Sequence, residues 1–565
     1  MKFFSVIAVA LSFISHSNLA SGQAPYSFAP PMQIKPKLSA NFGELRKNHF
    51  HSGLDYRTES RTGIPVYAVE NGYVVRVFIS PFGFGRALYI NHGYKYTSVY
   101  AHLDSFTPEI EKYVKEQQYA AESFSLNIFP DKTLFPVKKG DFIGYSGNSG
   151  SSGGPHLHFE IRDQQSEEPL NPLDYKFISI EDNIPPKIKS LIIYLPDSTK
   201  DIPTPRIYKE ILLKEDFPSD TISVPSKFFL GVESYDSMPN STNEYLVKRI
   251  EIKVDSATLF DFNMTRFAFD ESRYINSVID YELFCTKRRE IIRAFKDPNN
   301  KFSLLSKMNG NGEIAIYDNK PHLVTLKAID SNSNETSAAV WVRKGSKKPS
   351  RRSVTEGQTP IYFFKKQNDL IRTNATVTIP GSSIYNSMLI YYKEEPNPKA
   401  FSQTIIVRNN GQPLKSEIKL KIKTNVPEKF AEKAFVARGY NTSFSCIGGD
   451  YSNGVISTTS SEFGQFFVDI DSIAPKAEPL LKIKGAITPT NGALYFSISD
   501  DKTGIDTFDT YIDGKWATAE YDTKSNLAIV RLDKERISKG RKHEIEFYIA
   551  DKMGNIRFLK SLFYF

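Results

Sequence analysis

Apolar and polar residues alternate in short runs along most of this chain, and Asn, Gly, Asp and Pro break the runs, as in YLVKRIEIKV (245–254) and LYFSISD (494–500). A period of two places every second side chain on one face, which suits a strand packed on one side and wetted on the other. From about residue 186 onward this pattern predicts sandwich domains built of short strands. The length, 565 residues, calls for about three to five domains. The fold class expected is mainly β: a compact antiparallel domain first, then Ig-like β-sandwiches.

The same alternation carries the chemistry. In GYSGNSGSSGGPHLHFEIR (144–162), HLHFEI reads as a strand with Leu157, Phe159 and Ile161 on one face and His156 and His158 together on the other. Six of the nine histidines, at 49, 51, 92, 102, 156 and 158, fall between residues 34 and 176. HFHSGLDYR supplies His51 and, four residues on, Asp55, which can close on one metal if Gly53 lets the chain fold back. With His158 this makes two imidazoles and one carboxylate, a set suited to tetrahedral Zn²⁺ with one position open to water. Zinc lowers the pKa of such a water to about 7. His156, and His102 at the end of the alternating YTSVYAHL, are then candidate bases for amide hydrolysis.

Three ordered blocks, HSGLD, YAHL and GPHLHFEIR, with GIPVYAVENGYVV, KKGDFIGYSGNSGSSG and NPLDY around them, resemble the lysostaphin/LytM-type zinc metallopeptidases. The similarity covers about a quarter of the chain. It implies one Zn²⁺ held by His51, Asp55 and His158, with His102 and His156 as the catalytic pair, in the groove of a compact antiparallel β domain. It also implies peptidoglycan as substrate. All five positions are filled, unlike the degenerate relatives that activate other wall hydrolases. Arg46 resembles an arginine upstream of the first ligand in relatives and either shapes the groove or makes a structural salt bridge. His49 alternates with His51 and is a candidate to touch substrate. His92 sits at a strand-to-turn junction where relatives often carry a histidine outside catalysis.

The chain departs from the family's compact pattern at TPEIEKYVKEQQYAAES. Thr107 as N-cap, Pro108 at the first position and early acidic residues predict a helical insertion over about 107–130. Its row Ile110, Tyr113, Val114 and Gln117 suits either a lid on the groove or packing against the β core.

The first residues, MKFFSVIAVALSFISHSNLASGQA, read as a secretory signal peptide over 1–22 with a small-x-small cleavage site and no cysteine for a lipid anchor. No later segment approaches the length of a membrane span. The expectation is an exported protein, in the periplasm, with full secretion as the alternative. The net charge of +8 is small for this length; it favours an anionic surface such as a cell wall and does not argue for nucleic acid. The two cysteines, Cys285 and Cys446, lack metal or redox spacing and are expected to be unpaired core thiols.

A weak internal repeat marks the later domains. DNIPPKIKSL (182–191) matches DSIAPKAEPL (471–480), and downstream His322, Asp330 and Asn334 match His543, Asp551 and Asn555. The repeated Asp and Asn suggest either Ca²⁺ binding or, as the preferred reading, side chains that close a turn on local backbone. The expected organisation is a leader at 1–22, a zinc peptidase domain at 34–176, a sandwich with an insertion at 182–345, a β-rich domain at 350–470 and a C-terminal sandwich at 471–565. Arg343–Ser353, basic and polar, reads as a linker. The function expected is a zinc metalloendopeptidase cutting peptidoglycan cross-links or stem peptides, with envelope proteins as further candidate partners of the sandwiches. The alternatives are a non-catalytic peptidoglycan-binding or hydrolase-regulating protein and a structural or adhesive envelope protein.

Overall fold

A computed structural model of the chain describes residues 28–93, 95–175, 180, 182–196, 205–213, 221–345, 358–409, 411–440, 443–483 and 485–565. The expected leader, residues 1–22, and most of the Arg343–Ser353 linker lie outside the described residues.

The architecture is mainly β and largely antiparallel. In the first part, β1 (Leu38–Ala40), β2 (Leu45–Arg46), β3 (His49–Phe50), β4 (Leu54–Arg57), β5 (Pro65–Tyr67), β6 (Gly72–Ile79), β7 (Arg86–Asn91), β8 (Tyr96–Ala101) and β9 (Leu103–Phe106) precede one helix, α1 (Pro108–Ala121). β10 (Leu126–Ile128), β11 (Pro136–Val137), β12 (Phe142–Ser146), β13 (His156–Asp163) and β14 (Pro169–Leu170) follow. The main sheet has the order β1-β4-β13-β8-β7-β6-β10, and a small sheet has the order β5-β12-β9. The strand that carries the paired histidines, β13, is therefore central, between β4 and β8. Its Leu157, Phe159 and Ile161 are fully buried, each worth about 1.5–3 kcal/mol of burial. That apolar face anchors the strand and leaves the opposite face for polar groups.

Helix α1 begins as its sequence dictates: the Thr107 side chain accepts from Ile110 N at 3.5 Å, Pro108 opens the first turn, and Glu109 and Glu111 stand at the positive end. It stops at Glu122, in a left-handed conformation. The insertion is thus helix followed by strand, because Leu126 to Ile128 pair antiparallel with β6 and extend the main sheet. The helix buries Ile110, Val114 and Gln118. Gln118 takes the place expected for Gln117 because its amide donates to Phe124 O at 2.7 Å, an interior bond that an apolar-row reading does not see.

One apolar core runs from this sheet into residues 186–345. The β2–β3 hairpin inserts Phe50 between Phe267 and Phe302, with ring centroids 5.4 and 5.2 Å away. Separate cores follow at residues 362–470 and 477–563, each between two β-sheets. The sequence repeat closes in the same way twice. Asn334 Nδ2 donates to Asp182 O at 3.0 Å and to Asp330 Oδ2 at 2.8 Å, and Asn555 Nδ2 donates to Asp471 O at 2.8 Å and to Asp551 Oδ2 at 2.7 Å. Both cysteines are free. Neither is the core thiol expected: Cys446 is half-buried, and Cys285 is exposed because it lies on a short helix, Tyr281–Lys287, that buries none of its residues.

Candidate metal centre

Register brings the separate sequence blocks together. On β13, His158 stands opposite Asp55 of β4 on one side and Ala101 of β8 on the other. His102 follows directly where β8 ends, and it holds a left-handed backbone with φ of 59°, an unusual conformation for a residue with a side chain. His51 reaches the same place from the turn after β3. That turn needs Gly53, since a Cβ there would lie 2.3 Å from Phe159 O.

His51 Nε2, Asp55 Oδ1 and His158 Nδ1 converge. The separations are 3.0 Å from His51 to Asp55, 2.9 Å from His158 to Asp55 and 3.1 Å between the imidazoles. All three residues are buried. The outward nitrogens decide what the inward ones can be. His51 Nδ1 meets Asn41 O at 2.7 Å and His158 Nε2 meets Glu160 Oε1 at 2.9 Å. A carbonyl and a carboxylate only accept, so each of these nitrogens carries the proton and each inward nitrogen presents a lone pair. His156 Nδ1 likewise meets Gly154 O at 2.8 Å, and His102 Nδ1 meets Ser149 O at 2.8 Å. Four imidazoles thus have their donors committed outward, and two of them aim lone pairs at Asp55 Oδ1.

Three acceptors with no donor among them call for a positive charge. His158 answers that call with a proton: burial opposes its charge, but the hydrogen bonds to Asp55 and Glu160 hold its pKa up at about 9. Burial also opposes the charge of Asp55, and the neighbouring histidines nonetheless hold its carboxyl well below the usual range. A cation that displaces that proton would meet two imidazole nitrogens and one carboxylate oxygen at mutual hydrogen-bond distance, a donor set that fits Zn²⁺.

The two remaining histidines flank this group. His156 Nε2 lies 3.5 Å from Asp55 Oδ1, and the His102 ring lies 4.8 Å from the His156 ring, centroid to centroid. Burial, with the charges of His158 and His156, pushes His102 down to about 3 and keeps it neutral. Arg46 lies beside the group, its Nη2 3.0 Å from Glu44 and 3.6 Å from Asp55 Oδ2. It lines a groove of about 650 Å³ with Asp55, His156, Gly153 and Gly154. His49 is exposed, bonds Lys47 O through its ring and does not line that groove. His92 is tied into a buried network, to Asn71 O at 3.0 Å and Ser98 Oγ at 2.7 Å.

Sequence reasoning missed Glu160 and Arg162, although the signal was present: they continue the period-two face of His156 and His158. Glu160 is fully buried, accepts from Ser52 Oγ and Arg162 Nε at 2.5 Å each, and orients His158. Burial opposes its charge, but Arg162 and His158 hold its pKa at about 2. The guanidinium of Arg162 in turn sits 4.7 Å from the Phe269 ring, outside the first 176 residues. No local pattern announced Asn41 or Ser149, which act through backbone carbonyls.

The model of peptidase family M23 matches residues 49–128 and 132–172, which hold His51, Asp55, His102, His156 and His158, and a Zu5-like domain model matches residues 360–471. The chain is similar to an uncharacterized metalloprotease of Haemophilus influenzae, at 32% identity over 28% of each protein. It is similar to the peptidoglycan DD-endopeptidase ShyA of Vibrio cholerae, at 31% identity over 23% of this chain and 26% of that protein. It is also similar to lipoprotein NlpD of Yersinia enterocolitica, at 32% identity over 20% of this chain and 90% of that one. The match thus spans about a quarter of the first two relatives and nearly all of the third.

Proposed function

We propose, from the premise that this chain belongs to peptidase family M23, that it is an exported zinc metalloendopeptidase hydrolysing peptide bonds in peptidoglycan cross-links or stem peptides. The observation that carries the reading is the inward set of lone pairs around Asp55, with every outward N–H committed. The likeness to a peptidoglycan DD-endopeptidase over this region supports the substrate class.

His51, Asp55 and His158 would hold the zinc. When bound, Zn²⁺ supplies Lewis-acid chemistry, polarising a carbonyl and making water acidic enough to ionise near neutral pH. The chain's own residues do the rest. Backbone carbonyls hold the Nδ1 protons of His156 and His102, so in this tautomer each offers Nε2 as a proton acceptor. One takes the proton of the attacking water, and the imidazolium so formed gives it to the leaving amine or stabilises the developing oxyanion. Glu160 fixes the His158 tautomer, and Arg46 borders the groove in which substrate lies. The Ig-like modules behind the peptidase position it on the envelope or on an envelope protein. Among the described residues no helix is long and apolar enough to cross a membrane; the expected leader together with the wall-directed likeness supports a periplasmic location, with full secretion as the alternative.

The test is digestion of purified peptidoglycan, with products resolved by mass, by wild type, His158→Ala and chelator-treated protein. Loss of cross-linked dimers with wild type alone, accompanied by bound zinc that His158→Ala lacks, is the expected result. Zinc bound in wild type without any product would turn the reading to a peptidoglycan-binding or hydrolase-regulating protein.

A further inference from the structure

The carbonyl that fixes His102 belongs to a loop that is held from two sides. On one side, Ser149 Oγ donates to Leu103 O at 2.8 Å and accepts from Arg86 N at 2.9 Å, and Ser151 N donates to Gly83 O at 2.9 Å. These bonds grip side chain and flank. The orientation of the Ser149 carbonyl itself is another matter, because Gly150 follows it with φ of 69°. A peptide plane beside a left-handed glycine can rotate at little cost. If the Ser149–Gly150 peptide turned over, its carbonyl would leave His102 Nδ1 and its N–H would face the imidazole instead. The tautomer that frees Nε2 would no longer be enforced.

What prevents the turn comes from the far end of the chain. Lys524 lies in the connection between strands Ala519–Asp522 and Leu527–Arg531 of the C-terminal sandwich, and its ammonium donates to Asn148 O and, at 3.1 Å, to Gly150 O. The carbonyls on either side of Ser149 are thereby both drawn to one cation, while the carbonyl between them points away to His102. Bonds to a charged donor are roughly twice as strong as neutral ones. The sandwich is seated for this by α1. Lys115 pairs with Asp533 at 3.0 Å and Glu535 at 2.8 Å, the Tyr119 ring meets Trp516 edge-on at 5.2 Å, and the Arg536 guanidinium lies 3.8 Å over Tyr119. The inserted helix is the dock of the C-terminal sandwich.

We propose that Lys524 is a positioning residue for His102, acting through the Asn148–Gly150 loop, so that the C-terminal sandwich completes the peptidase site. This rests on the reading of His102 as one of the catalytic pair. The experiment uses full-length, zinc-loaded wild type, Lys524→Ala, Lys524→Arg and, as a control within the C-terminal sandwich that touches neither α1 nor the loop, Asn555→Ala. Turnover of peptidoglycan is measured, together with the nitrogen resonances of the His102 imidazole by selective ¹⁵N labelling.

Lys524→Ala should lower kcat about tenfold and leave KM within about twofold, since the bound geometry of one catalytic group is disturbed and not the groove. Lys524→Arg should restore most of kcat, and Asn555→Ala should keep it. Full kcat in Lys524→Ala, or an equal fall in Asn555→Ala, would overturn the proposal. Should wild type cleave no peptidoglycan, the functional reading fails by itself, and the resonances still decide the positioning. A protonated, hydrogen-bonded Nδ1 in wild type that shifts in Lys524→Ala upholds it, and an unchanged Nδ1 refutes it.

Discussion

The group of His51, Asp55 and His158 and two trios of aspartates in the later sandwiches each bring three donor atoms within 4.8 Å of one another. The trios are Asp182, Asp236 and Asp330, and Asp471, Asp500 and Asp551. In the first group a carbonyl and a carboxylate draw the outward protons, and the atoms that face inward meet only one another. In the trios the carboxylates are mostly spent on their own turns. Asp330 Oδ1 accepts from Asn332 N and Asn334 N at 2.8 Å each, and Asp551 Oδ1 accepts from Met553 N at 2.8 Å and Asn555 N at 2.9 Å. Asp500 Oδ1 takes the N–H groups of Lys502, Thr503 and Gly504. Closeness alone does not make a cation site; lone pairs with nothing else to accept do. The remaining charge in the first trio is relieved by a proton, since burial and the neighbouring Asp182 and Asp330 push Asp236 up to about 8.

The contrast is sharpest at the residue that draws the His158 proton outward. Glu160→Ala should weaken zinc binding or turnover about 10- to 100-fold, the usual effect of losing a partner behind a metal ligand. Competition with a chelator measures it, circular dichroism checks that the strand still folds, and wild-type affinity would mean that the outward bond does not set the lone pair.

The first trio makes a prediction in pH. Folded Asp236 keeps its proton up to about pH 8, whereas an unfolded aspartate gives it up near 4. Across that window the folded state binds the extra proton, so its stability falls as pH rises. Asp236→Asn should flatten the fall in urea midpoint between pH 5 and 8. An unflattened fall, joined to a calcium-dependent rise in Tm of the wild type, would put the trio in the same class as the histidine centre.

The smallest expected effect is Asn555→Ala, which removes the donor shared by Asp471 O and Asp551 Oδ2 and should cost about 1 kcal/mol in urea unfolding. No loss would show that this closure is incidental to the C-terminal sandwich.

Much of this was legible along the chain. Alternation in HLHFEIR marked the strand, and its polar face carried not only His156 and His158 but also Glu160 and Arg162, which a longer reading of the same period would have included. The helix start was legible because Thr107, Pro108 and the acidic first turn are local signals. Its end was less so, since pairing of Leu126 to Ile128 with β6 competes with the helix and is a matter of the sheet edge.

The amino-acid sequence by itself determined the mainly β architecture, through its period of two, and the ordered blocks from which the candidate ligands come. Tertiary structure decided which atoms of those residues face inward, because a tautomer depends on what stands behind each ring: Asn41, Ser149 and Gly154 through backbone carbonyls, and Glu160 through a buried carboxylate. It also decided that α1 receives the C-terminal sandwich and that Lys524 meets the loop beside His102. Bonds to backbone carbonyls leave no mark on residue type, and a contact between positions 148 and 524 exists only once the intervening sheets have brought the two ends of the chain together.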